Sequence, residues 1–200
     1  MRKIALVFAV FTLGHALVFG EAVVGKPAPA FTAKDINGKT HKLSDHKGRI
    51  VVLEEYNLDC PFCANHVNSG AMQELQSYAA SKGVVWLLVD SVNAKSPSYR
   101  DPAAAKKEFE AHKIKAAAWI DDSSGAIGQA YGLKTTPHMI VIDKDGVVAY
   151  NGAIDDNAST DEDPRKARNY VREAIDQLLA GHQPKVPSTK PYGCGVKYSD

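Results

Sequence analysis

Apolar and polar positions recur along the chain in three patterns. Unbroken apolar runs are the first: Ile50 to Leu53 and Val84 to Val89 read as strands buried on both faces, as in a sheet covered by helices. Short strand-like stretches joined by turn residues are the second. Ala30 to Asp35, the turn Ile36-Asn37-Gly38-Lys39 and Thr40 to Leu43 predict a β-hairpin, because Asn-Gly supplies the positive φ angles of a tight turn. His138 to Ile142, the turn Asp143-Lys144-Asp145-Gly146 and Val147 to Tyr150 predict another. The third pattern is helical. After Cys60, the residues Val67, Ala71, Leu75, Tyr78 and Ala79 share one face, with Pro61 in the first turn, Gly83 at the stop and Ser69-Gly70 marking a kink. Asp101-Pro102 starts a helix that continues to Lys113. Ala116 to Ile120 reads as a short strand, and Ser124 to Tyr131 as a short helix ended by Gly132. Asp155 to Asp163 is an acidic loop. Pro164 to Ala180 reads as one amphipathic helix, with Ala167, Tyr170, Val171, Ala174, Ile175, Leu178 and Leu179 on one side.

Strands that alternate with helices predict an α/β fold: a central mixed sheet with helices on both faces, preceded by an N-terminal β-hairpin. No internal repeat interrupts this order, and residues 23–182 read as one domain. The tail, residues 183–200, is rich in Pro and Gly yet carries Tyr192, Cys194 and Tyr198, so it is expected to lie along the domain.

Residues 1–22 change the accounting. Met1-Arg2-Lys3 is basic, Ile4 to Phe19 is mostly apolar, and Gly20-Glu21-Ala22 offers small residues for cleavage, so a signal peptide is expected, with an uncleaved anchor as the alternative. The apolar run is shorter than the roughly 20 residues a comfortable span needs. No stable membrane insertion is therefore expected after cleavage. Removal of residues 1–22 takes Arg2, Lys3 and Glu21 and leaves 22 basic against 22 acidic residues. That balance, without a Lys/Arg block, gives no electrostatic footprint for nucleic acid. A periplasmic or otherwise exported location permits disulfides.

The candidate chemistry lies at Cys60-Pro61-Phe62-Cys63, where the strand Ile50 to Tyr56 hands over to a helix. Two cysteines at this spacing can sit as a dithiol or close into a small disulfide ring. The unpaired N–H groups of a helix N-terminus stabilise the thiolate of Cys60 and make it the attacking group. Asp59 opposes this, and the balance is open at this level. A purely structural bond is disfavoured, because so short a loop constrains little of the unfolded chain.

These residues, taken in order, resemble the thioredoxin-fold redoxins, the alkyl hydroperoxide reductase and thiol-specific antioxidant superfamily, and in particular exported thioredoxin-like proteins of bacteria. The likeness is carried by the lead-in Gly25-Lys26-Pro27-Ala28-Pro29-Ala30-Phe31, by Asp35, Asn37-Gly38-Lys39 and Leu43-Ser44-Asp45, by the C-P-F-C turn, by Thr136-Pro137 and by Asp143-Lys144-Asp145-Gly146. It runs from about Gly25 to Ala180. The tail Lys190-Pro191-Tyr192-Gly193-Cys194-Gly195-Val196-Lys197-Tyr198 resembles a subgroup whose first motif looks like C-P-F-V; here Cys63 stands in the last place.

The resemblance implies a thiol–disulfide oxidoreductase in which Cys60 attacks a substrate disulfide and Cys63 displaces the reduced product. Glu54 matches the buried acid that handles the proton of the second cysteine, although strand alternation sends one of Glu54 and Glu55 inward and the other outward and leaves open which of them faces the dithiol. Pro137 is implied as a cis-proline beside the sulfurs, and Thr136, Pro61 and Phe62 as substrate-binding. Cys194 reads as a third redox thiol, as a thiol that pairs with another molecule, or as an inert tail residue. His66 and His138 are further candidates near the sulfurs, while Trp86 and Trp119 read as core. The implied partners are protein disulfide substrates and a redox partner protein, acting without cofactor or metal. Two alternatives stand beside this. A peroxiredoxin pattern, P-x-x-x-[ST]-x-x-C, has Leu53 and Asn57 at its two key places here. A copper chaperone of the same fold would use two thiolates with His66 or His138, but resembles a pair spaced by three residues rather than two.

Overall fold

The computed structural model describes residues 21–199, so residues 1–20 of the expected signal segment lie outside the described residues. Two short strands, β1 (Thr32–Lys34) and β2 (Thr40–Lys42), form the N-terminal hairpin. Its turn is held by Asp35, whose Oδ1 accepts the N–H groups of Asn37 at 2.8 Å and Lys39 at 2.9 Å, with Gly38 at a φ of +79°. The next elements are β3 (Val51–Glu55), α1 (Pro61–Asn68), α2 (Ala71–Ser81), β4 (Val85–Asp90), α3 (Pro102–Ala111) and β5 (Ala118–Asp121). They are followed by α4 (Ala126–Ala130), β6 (Thr135–Thr136), β7 (His138–Ile142), β8 (Val148–Gly152), α5 (Tyr170–Leu179) and β9 (Cys194–Gly195).

The central sheet has the order β5-β4-β3-β7-β8, parallel from β3 to β5 and antiparallel at β7 and β8. Both of its faces are covered. Val52 and Trp86 look toward α1, α2 and α5, where Val67, Met72, Leu75, Val171 and Ile175 meet them. Val51, Leu53, Val85 and Leu87 look the other way, toward Ile127, Ala130 and Tyr131. This double covering is what makes β3 and β4 read as unbroken apolar runs.

Two expectations shift. The helix after Cys60 is two helices, because Gly70 adopts a φ of +85° between them, a left-handed turn that suits glycine. The helix expected from Pro164 begins only at Tyr170. Pro164–Lys166 forms one 3-10 turn, Ala167 is extended, and Asn169 caps α5 by accepting the N–H of Arg172 at 2.8 Å. Ala167 is therefore not on the helix face assigned to it.

Candidate active site

The end of β3 and the start of α1 build the centre of the site. Asn57 turns the chain, its side chain accepting the N–H of Asp59 at 2.9 Å and its carbonyl that of Cys60 at 3.1 Å. Cys60 then takes the N-cap position of α1 with extended backbone, and Pro61 the first helical position, where a missing N–H is harmless. Cys63 follows one turn later. Both are free thiols and each is 1% exposed.

The electrostatics separate the two sulfurs. The Cys63 S–H donates to Cys60, and the Cys194 S–H and the N–H groups of Cys63 and Cys194 add to it; together they outweigh burial and hold the Cys60 thiol down to about 4. Asp59, expected to oppose the thiolate, is instead paired with Arg100 at 2.5 Å. The acceptor that does oppose it is the Thr136 carbonyl oxygen, 2.8 Å from Cys60 Sγ, which takes the S–H of the protonated form and repels the thiolate. Burial and the neighbouring Cys60 push Cys63 well above the ordinary thiol range.

Thr136 and Pro137 lie across the sulfur, joined by a cis peptide bond. β6 carries Thr136 and pairs antiparallel with β9, so that Cys194 stands opposite Thr136 and Gly195 opposite Thr135. Cys194 N–H points at Cys60 Sγ from 3.4 Å. The Phe62 ring meets the Tyr192 ring at a centroid distance of 5.7 Å. Thus Cys60, Cys63, Cys194, Phe62 and Thr136 are brought together. Pro61 is exposed beside them.

Glu54 and Glu55 are both fully buried, because the sheet has no solvent-facing side. The expectation of one inward and one outward side chain is corrected to two interiors. Glu54 shares its face with Trp86 and Gln76, which donate to its Oε2 at 2.7 and 3.2 Å, while its Oε1 has no partner among the described residues. Burial raises it to about 7, and its charge acts on Cys63. Glu55 lies on the α4 face and bonds Ser91 instead. Of the two, Glu54 is the one whose charge reaches Cys63.

Neither histidine reaches a sulfur. His138 accepts the Lys134 N–H at Nδ1, 3.1 Å away, which leaves the proton on Nε2 for Asn151 Oδ1 at 2.7 Å. His66 is buried, held neutral down to about 4, and sits 3.2 Å from the Tyr192 hydroxyl. Trp119 is core, as read from sequence, and Trp86 is core that also holds Glu54. Tyr192 holds the tail on the domain as its composition implies, whereas sequence reasoning missed Gln76 and Asp155. Gln76 had a signal: it occupies an apolar position in the Met72, Leu75, Ala79 periodicity of α2. Asp155, accepting the Tyr192 hydroxyl from 37 residues away, had none.

A family model described as Redoxin matches residues 23–170, most of the chain. The chain belongs to the redoxin family. A thiol-disulfide oxidoreductase ResA of Bacillus thuringiensis subsp. konkukian is 31% identical to this redoxin over 125 residues, 62% of this chain and 66% of that protein. The match thus spans just under two thirds of that relative's length. Among solved structures, a hypothetical protein of Sinorhizobium meliloti superposes with a TM-score of 0.77 at 20% identity, covering 90% of this chain and 97% of that one. A putative thiol:disulfide interchange protein DsbE of Chlorobium tepidum gives a TM-score of 0.55 at 22% identity, covering 80% and 98%. These likenesses bear out the thioredoxin-like fold expected from the sequence.

Proposed function

We propose that this redoxin is an exported thiol–disulfide oxidoreductase that works through Cys60 and Cys63, as a reductase of protein disulfides recharged by a redox partner protein. The observation that carries this is the split between the two sulfurs: Cys60 is held down to about 4 at a helix N-terminus, while buried Cys63 keeps its proton. The Cys60 thiolate attacks a substrate disulfide and forms a mixed disulfide. Cys63 then gives its proton to Glu54, attacks Cys60 Sγ and releases the reduced product, leaving a Cys60–Cys63 bond. Glu54, raised to about 7, suits a base near neutral pH. Thr136, once the tail strand paired with it lifts, offers its backbone to an extended substrate, flanked by Pro61, Phe62 and Pro137.

The names of relatives such as ResA support this chemistry, and the pattern of residues 1–22 supports export. Peroxide reduction is disfavoured: Leu53 is packed in the core on the α4 face, and Asn57 spends its side chain on the turn before Cys60. The test is reduction of a protein disulfide such as that of insulin by the thiol-reduced redoxin. Cys60→Ser is expected to abolish turnover, and the double variant Cys63→Ser, Cys194→Ser, which leaves no second thiol beside Cys60, to accumulate a mixed disulfide. Turnover retained in Cys60→Ser would overturn the assignment.

A further inference from the structure

The dithiol is sealed, and the tail seals it. Cys60 and Cys63 are each 1% exposed, whereas Cys194, in contact with Cys60, is partly exposed. β9 is the only strand paired with β6 among the described residues, and it lies there as an extended segment hydrogen-bonded along the backbone, the kind of main-chain pairing by which peptide ligands dock on strands. The fit is close. Thr136 Oγ1 donates to the Cys194 carbonyl at 3.3 Å, Val196 N–H donates to the Lys134 carbonyl at 3.3 Å, and a Cβ at Gly193 would collide with the Thr136 carbonyl. The segment is fastened on both sides. Tyr192 is bonded to Asp155, Asn93 holds the Lys197 carbonyl, and the Tyr198 hydroxyl donates to the Leu133 carbonyl at 2.8 Å.

We propose that Cys194 is a third catalytic thiol and the port for electrons: the docked tail is an intramolecular substrate that exchanges with the Cys60–Cys63 bond and presents the resulting Cys60–Cys194 disulfide to a dithiol reductant. This rests on Cys60 being the exchanging sulfur. In the first step Cys194 loses a proton and attacks Cys60 Sγ; the Cys60–Cys194 bond forms, the Cys60–Cys63 bond breaks, and Cys63 takes up a proton, with no net change in oxidation. In the second step one partner thiolate attacks Cys194 Sγ and Cys60 leaves as thiolate. The partner's other thiol then closes the partner's own disulfide and releases Cys194 as a thiol, so two electrons have entered. The chemistry favours the second step. Attack falls on the one reachable sulfur, and the leaving group is the most acidic thiol of the three, which leaves fastest.

The experiment has two arms. Cys63→Ala, oxidised with diamide and mapped by mass spectrometry, is expected to contain an intramolecular Cys60–Cys194 disulfide; free or only intermolecular Cys194 would overturn the proposal. In the second arm, reduction of the oxidised protein by dithiothreitol is followed in wild type, Cys194→Ser and Gly193→Val. Cys194→Ser should be slowed about tenfold or more, because reduction must then wait for the tail to lift, whereas Gly193→Val, with the tail displaced, should restore fast reduction. Equal rates in all three would overturn it. The bond mapped in Cys63→Ala needs no substrate, so it stands or falls apart from the insulin test.

Discussion

The Tyr192 hydroxyl donates to Asp155 Oδ1 at 2.5 Å, and this bond ties the tail to the body two residues from Cys194. The same oxygen lies 3.2 Å from His66 Nε2, and both partners are buried. Since the hydroxyl hydrogen is given to Asp155, the His66 N–H fills the oxygen's lone pair. Tyr192→Phe keeps the ring on Phe62 but takes from buried Asp155 its hydroxyl donor and from buried His66 its acceptor, leaving Asp155 with the Asn157 N–H and His66 3.6 Å away, at a cost of roughly 1–3 kcal/mol. The cost falls on the docked tail. Alkylation of Cys60 by iodoacetamide is expected to rise about tenfold, in proportion to the open population, while the urea midpoint of the domain moves far less. An unchanged alkylation rate would show that Tyr192 does not hold the tail.

The Cys60 thiolate should be visible by ultraviolet titration of the reduced protein, with an inflection near pH 4 that Cys60→Ser removes. Cys194 contributes two of the donors to that sulfur, its S–H and its N–H. Gly193→Val displaces both, so the inflection moves up. The same contacts stabilise the reduced form over the disulfide, and their loss lowers the Cys60–Cys63 reduction potential. A tenfold change in the equilibrium constant is about 30 mV for this couple, and a fall of that order is expected against a glutathione buffer. A potential that rose would mean the tail opposes the thiolate.

Glu54 gives a prediction with a definite sign. Burial raises its folded value to about 7 from an ordinary 4.5, so the native state binds the proton more tightly than the unfolded chain. Its contribution to stability is complete below pH 4.5 and is lost as pH rises through 7. Glu54→Gln keeps an acceptor for Trp86 and Gln76 and removes the titration. The stability difference between variant and wild type, from urea unfolding, should therefore grow in favour of the variant from pH 4.5 to 7 and then level off. Release of product from the mixed disulfide should slow by about 100-fold at neutral pH, the usual worth of a positioned base. Parallel stability curves would remove Glu54 from the titration.

Much of this was legible in the chain. The runs at Ile50 and Val84, the Asn-Gly turn and the dithiol at the strand–helix junction are local signals, each carried by a few adjacent residues. The interior on both sides of β3 is implied by its unbroken apolar run, yet strand alternation alone divides Glu54 and Glu55 into inward and outward, because alternation carries no information about the second covering layer. The α5 start was misplaced because Pro164 and Ala167 fit a helix by type, whereas the Asn169 cap decides it by geometry. The pairing of Cys194 with Thr136 joins residues 58 apart and has no local signal at all. Glycine on each side of Cys194 is visible in the chain; why Gly193 must be glycine appears only against the Thr136 carbonyl, whereas a Cβ at Gly195 would meet nothing.

Ser91 connects two buried carboxyls and forces a proton onto one of them. Its hydroxyl lies 2.8 Å from Glu55 Oε2 and 2.9 Å from Asp122 Oδ2, but it carries a single hydrogen. If it donates to one carboxylate, the other must be protonated to donate back. Asp122 also accepts the N–H groups of Ile127 and Gly128 at 3.1 and 2.8 Å, donors that favour its charged form. Burial raises both acids, but Glu55 has fewer donors and full burial and is raised well above the ordinary carboxylate range, so the proton belongs to Glu55. The sign follows from linkage: a group raised on folding contributes stability at low pH and loses it as pH rises. Glu55→Gln supplies a permanent N–H donor in place of the held proton. It is expected to raise the urea midpoint at pH 8 and to leave it nearly unchanged at pH 4.5. Ser91→Ala removes the donor between the two acids and should cost about 1–3 kcal/mol, more at pH 8 than at pH 4.5. Equal losses at the two pH values would mean that the shared proton is not held at this site.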